Sequence, residues 1–174
     1  MKKSDISQAP CFFDTYIHKV DDIELSEALK QSISELDNLD FETLNKLADF
    51  AYAEGKWTVK DIFQHLIDTE RIMSYRALCF ARNEKTKLPG FDENAYAQNV
   101  STKKRSLKSL MSEFKLVHKS SIALFKSFDK KALKRSSIMF NSDMSVLAIG
   151  FVLAGHQKHH LQVIKERYLP LLNQ

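Results

Sequence analysis

Apolar residues return every three or four positions along most of this chain, while strand-like alternation is scarce. The spacing predicts a first helix over Ile23–Leu39, with Leu25, Ala28, Leu29, Ile33 and Leu36 on one stripe, and a short helical continuation over Phe41–Phe50. Residues 51–56 break the pattern before Trp57. A second helix is expected from Thr58 to Arg82. Thr58 is a natural N-cap, and Asp61 three residues later makes a capping-box-like pair. At about 100° per residue, Ile62, Leu66, Thr69, Met73 and Phe80 share its inner face, with His65 and Arg76 on the flank. A polar connector with a Pro89-Gly90 turn fills 83–100. The third helix spans Thr102–Phe128, with Leu107, Leu110, Phe114, Val117, Ser121, Phe125 and Phe128 in phase. A second polar connector, Asp129–Asp143, leads to a fourth helix over Ser145–Leu169. Residues 1–20 read as an irregular arm whose Phe12, Phe13 and Tyr16 pack onto the body. The pattern gives an all-α fold, a four-helix bundle with connectors of unequal length, in one domain over residues 1–174.

Composition narrows this only slightly. The formal net charge is +4, with basic clusters at Lys103-Lys104-Arg105 and at Lys130, Lys131, Lys134 and Arg135. No aromatic residues interleave with them, so they read as solvated helix ends and loops, with nucleic-acid binding as the last-ranked alternative. Cys11 and Cys79 form no C-x-x-C pair, which leaves neither a disulfide framework nor a thiolate zinc site. Cys79 reads as a small helix-packing residue, with a nucleophile as its alternative. No apolar signal core follows Met1–Asp5, and no apolar run approaches about 18 residues; a cytoplasmic protein that spans no membrane is expected.

The candidate chemistry lies in the histidines. On the fourth helix, His160 falls about 20° and His156 about 60° from the apolar centre at Leu153, whereas His159 points about 120° away. Two imidazoles spaced i, i+4 on a core-facing side need partners, and a shared metal ion would satisfy both. The alternative for each is a core histidine bonded to a carbonyl or carboxylate. His118, alone on the third helix's stripe, is read that way, with a role as fourth ligand or acid/base left open. His18 and His159 read as surface residues or as supports to ligands. Gln157 stands where H-E-x-x-H proteases carry their glutamate, which removes that reading, and the missing carboxylates argue against a di-iron site.

The stretch from Tyr52 to Arg71, continuing through Tyr75–Arg82 and Leu88–Asp92 and resuming at Ala154–Leu161, resembles the DinB/YfiT-like superfamily. The resemblance implies a bundle that holds one divalent metal through His65, His156 and His160, two of which the helical phase had already turned inward. It further implies a metal-dependent enzyme activating water or a low-molecular-weight thiol, of the hydrolase or thiol S-transferase class. Three imidazoles suit zinc, nickel, copper, iron or manganese. Arg76 is a candidate for binding an anionic small-molecule substrate, with a structural salt bridge as its alternative. Trp57 and Phe91 read as packing residues, with a substrate wall as the second option. Asp68, Glu70 and Asp92 are candidate acceptors for the outer ring nitrogens, although Glu70 also suits an ion pair with arginine. The general acid or base is unassigned. The competing function is a non-catalytic, metal-stabilised binding or dimerisation module, and the apolar arm is compatible with a homodimer.

Overall fold

A computed structural model describes residues 1–7, 12–139 and 142–173. Its elements run α1 (Asp14–Ile17), α2 (Leu25–Asp37), α3 (Phe41–Lys46), α4 (Val59–Ala81), α5 (Glu93–Asn99), α6 (Leu107–Lys126), α7 (Lys130–Leu133), a hairpin of β1 (Ser136–Met139) and β2 (Ser142–Ser145), and α8 (Val146–Val163). Side chains start three of the four long helices. Thr58 and Asp61 form the expected reciprocal capping box at α4, Ser106 accepts from the Ser109 amide at α6, and Ser145 accepts from the Ala148 amide at α8.

The long helices form a four-helix bundle in which α2 and α4 each pack chiefly against α6 and α8. Helices consecutive along the chain, α2 with α4 and α6 with α8, are therefore diagonal, and α4 lies beside α8. Residues 146 to 157 of α8 are all buried. The helix packs against α2 and α4 within the bundle, and α1 covers it from outside. The covering contact is close: a Cβ at Gly155 would lie 1.9 Å from the Tyr16 carbonyl oxygen, so only glycine lets the arm seat beside His156. The apolar interior comprises one cluster around Phe80, Phe125 and Phe151 and another around Phe63, Phe114 and Tyr168.

Several local expectations are corrected. The third helix does not begin at Thr102; Thr102–Lys104 is a 3-10 turn and α6 starts after Ser106. Here the Thr102 hydroxyl donates to Asp61 Oδ1 at 2.5 Å and Arg105 donates to Gln64 Oε1 at 2.8 Å, which turns the chain against α4 before the helix starts. The connectors hold α5, α7 and the hairpin, whose register pairs Ser136 with Ser145 and Met139 with Ser142. The last helix leaves α geometry at Ile164 for a π turn through Tyr168, whose hydroxyl donates to the Trp57 carbonyl at 2.5 Å. In the arm, Phe13 is buried but Phe12 is 62% exposed. Cys11 lies outside the described residues. Among the described residues, no helix is long and apolar enough to cross a membrane.

Candidate metal centre

The adjacency of α4 and α8 brings three imidazoles together from residues 91 positions apart. His65 Nε2 lies 3.1 Å from His156 Nε2, and His160 Nε2 lies 3.0 Å from the same atom. Among the described residues, His65, His156 and His160 are the group of His, Cys, Asp or Glu whose ligand atoms could converge on one ion. Each ring is held from outside. Trp57 lies against His65 with centroids 4.7 Å apart, and Tyr16 meets His156 edge-on at 5.1 Å. His65 presents Nε2 inward while Nδ1 faces the Thr69 hydroxyl at 3.4 Å.

Burial governs the charge of this trio. It lowers the pKa of His65 to about 4, with nearby His159 adding to the effect. Burial also brings His160 down to about 2, helped by His65, and lowers that of His156 well below the ordinary value. All three rings are therefore neutral at physiological pH. A neutral imidazole carries one N–H and one lone pair. One proton between His156 Nε2 and a neighbour can serve one of its two close nitrogen contacts and leaves the other poorly satisfied. A cation served by three lone pairs satisfies the whole set. With metal–nitrogen bonds of about 2.0–2.1 Å, neighbouring ligand nitrogens lie about 2.9–3.4 Å apart, and both measured separations fall in that range. The residues fit a divalent ion.

The trio opens into a cavity of about 170 Å³ whose wall includes Tyr16, Trp57, Thr69, Arg76, Phe91 and Glu93. Trp57 and Phe91 thus line the space as well as packing their elements. Arg76 is buried, donates from Nη2 to the Pro89 carbonyl at 2.9 Å and lies under the Phe91 ring at 5.6 Å; burial lowers its pKa. Tyr16 and Glu93 were not anticipated. They sit on α1 and α5, short elements without an apolar period to flag them. Burial and the Glu93 carboxylate raise the Tyr16 pKa.

Other candidates lie elsewhere. His118 is fully buried, with Nε2 donating to the Leu29 carbonyl at 2.9 Å and Nδ1 facing Glu70 Oε2 at 3.0 Å. Burial opposes its charge, but the Glu70 carboxylate outweighs that and raises the pKa. The partner of Glu70 is thus a histidine, not an arginine. Asp68 accepts from Gln64, and Asp92 caps α5, so neither orients a ring of the trio. His18 is exposed beside Asp14, and His159 packs on Tyr16. Cys79 is a half-buried free thiol packed against the apolar cluster. Of the basic clusters, Lys103, Lys104, Lys130, Lys131 and Lys134 are exposed at helix ends, while Arg105 and Arg135 bond to Glu113 and to the Ala81 carbonyl.

Residues 24–164 match the model of the DinB superfamily. A protein of Oceanobacillus iheyensis, named provisionally as a metal-dependent hydrolase, is 28% identical over 150 residues, which cover 82% of this chain and 84% of that protein. The solved structure of YfiT from Bacillus subtilis, described as a probable metal-dependent hydrolase with an unusual four-helix bundle topology, superposes with a TM-score of 0.69. It is 17% identical, and the match covers 91% of this chain and 87% of that one.

Proposed function

The chain belongs to the DinB superfamily, and from that premise we propose that it is a metal-dependent hydrolase in which His65, His156 and His160 hold one divalent ion. The convergence of three neutral Nε2 atoms carries the proposal. When bound, such an ion supplies Lewis acidity and lowers the pKa of water towards neutrality. The chain's own residues prepare that chemistry. Three uncharged ligands leave the ion its full positive charge, and Thr69 fixes which nitrogen His65 presents. Tyr16, Trp57 and Phe91 shield the cavity from bulk water, and Arg76 supplies a cation for an anionic small-molecule substrate. Among the described residues, Glu93 is the carboxylate in the cavity wall and the candidate to accept or return a proton.

The relatives' names support hydrolysis; transfer of a small thiol would use the same ion with a different nucleophile. Elemental analysis of the wild type and of a His156→Ala/His160→Ala variant tests the ligand set. Parallel assays of ester and amide hydrolysis and of thiol transfer to an electrophile then test the reaction. One ion per wild-type chain, none in the variant, and metal-dependent hydrolysis are expected. A wild type that takes up neither zinc, nickel nor manganese refutes the proposal. Metal-dependent stability with no turnover in any assay would favour a binding module.

A further inference from the structure

Arg76 borders three spaces. Besides the histidine cavity, it lines a groove of about 320 Å³ with Ile72, Tyr75, Leu88 and Tyr96, and a second space of about 320 Å³ with Phe80, Ile138 and Met139. Arg76 and Phe91 line both the inner cavity and the Tyr75 groove, so the two spaces adjoin at the Arg76–Phe91 contact. The bond from Arg76 to the Pro89 carbonyl fastens the connector to α4 at this junction.

We infer that the Tyr75–Tyr96 groove is a substrate subsite, taking the apolar extension of a small oxyanion whose charged group meets Arg76 and whose reacting end lies among the histidines. The inference rests on the reading of those histidines as the reaction centre. Three observations carry it. The inner cavity, at about 170 Å³, is smaller than the roughly 300–1,000 Å³ of ordinary small-molecule sites, and the adjoining groove supplies the difference. The charge is uneven: among the described residues, those lining the two outer spaces include Arg71, Arg76 and Lys87 and no carboxylate, whereas the inner cavity sets Glu93 beside Arg76. An anion is therefore drawn to the outer, Arg76 side. Finally, Tyr75 and Tyr96 are 58% and 47% exposed, leaving aromatic surface along the groove for an apolar chain to cover.

Titration calorimetry with straight-chain carboxylates from acetate to octanoate, and with the matching alkyl phosphates, tests this. Trp57 is the one tryptophan of the chain and lines the inner cavity, so its emission gives a second readout. Affinity should rise about two- to fourfold per methylene beyond butyrate in at least one series, and octanamide should bind at least about tenfold more weakly than octanoate or octyl phosphate. Tyr75→Ser/Tyr96→Ser changes two exposed positions; it should flatten the length dependence while leaving the affinity of butyrate and the metal content unchanged. A flat series in the wild type, an unaltered slope in the tyrosine variant, or octanamide binding as well as the anions would overturn the inference. Metal content, measured on the same samples, separates the two readings. Length-dependent anion binding without metal uptake removes the metal proposal and leaves the subsite, and the reverse result removes only the subsite.

Discussion

Two groups of histidine packed inside this bundle differ in charge: His118 is protonated and the trio is neutral. His118 is surrounded by α2, α4 and α6 and has a carboxylate and a carbonyl for its two nitrogens, so both nitrogens act as donors in the protonated ring. The trio between α4 and α8 is largely buried as well, but its inner nitrogens find one another and no acid. Burial alone pushes every imidazole towards neutrality; a carboxylate at hydrogen-bond distance reverses the outcome. The difference separates a structural histidine from a candidate ligand. His118 has no lone pair to offer a cation, whereas each ring of the trio has one directed at a common point.

Removing the trio's lone pairs is the severest break in this contrast. His156→Ala/His160→Ala is expected to abolish metal uptake and to lower metal-dependent turnover on the order of 10³-fold or more, read by elemental analysis and steady-state rates. Breaking the other group should touch stability and spare metal content. His118→Ala leaves Glu70 buried without its partner and should cost about 3–5 kcal/mol in urea unfolding. The Glu70→Leu/His118→Leu double variant should recover much of that, because neither charge remains to be desolvated. A smaller effect is expected at Thr69. Thr69→Val removes the acceptor facing His65 Nδ1 and should weaken zinc binding about tenfold in a competition titration with a chelator, with little change in fold stability.

Acidity produces the mildest effect and sharpens the contrast by its sign. The folded pKa of His118 is above its unfolded value of about 6.5, so its stabilisation is complete below about pH 6.5 and is lost as pH rises through the folded value. The trio runs the other way. Its folded pKa values are depressed, so metal-free protein loses stability as pH falls below about 6.5, a window reaching to about 4 for His65 and about 2 for His160. Each group contributes at most about 1.4 kcal/mol per pH unit. In chelator-treated protein, His118→Gln should remove a gain in unfolding free energy between pH 8 and 6.5 and leave the fall between pH 6.5 and 5. An unchanged profile in both intervals would contradict the charge assigned to His118.

Periodicity made α2, α4 and α6 legible, because each buries one face for several turns, whereas α8 showed as a long apolar run that is buried on all sides from 146 to 157. The Thr58–Asp61 cap was equally plain, since its partners lie three residues apart. Phase alone turned His156 and His160 inward, and the family resemblance supplied His65. What stayed hidden depended on contacts between distant residues or on elements too short to show a period. None of the seven residues of α5 is buried, so its contribution of Glu93 to the cavity had no apolar signature. The inward phase of Glu70 was visible, but its partner is 48 positions away on another helix. The close approach at Gly155 likewise reads as an unremarkable helical glycine until Tyr16 is placed against it.

The diagonal placement of consecutive helices also sets an order of events during synthesis. When α2 has left the ribosome, neither of the two helices that cover its apolar face has been made; the first, α6, begins 70 residues after the end of α2. His65 emerges 91 residues before His156, so the candidate centre has only one of its three ligands until α8 appears. The seat for the arm at Gly155 arrives at the same late stage. A nascent chain halted before α8 therefore leaves the α8-facing sides of α2 and α4 uncovered together with an incomplete ligand set, and the final helix completes burial and metal capacity in a single step.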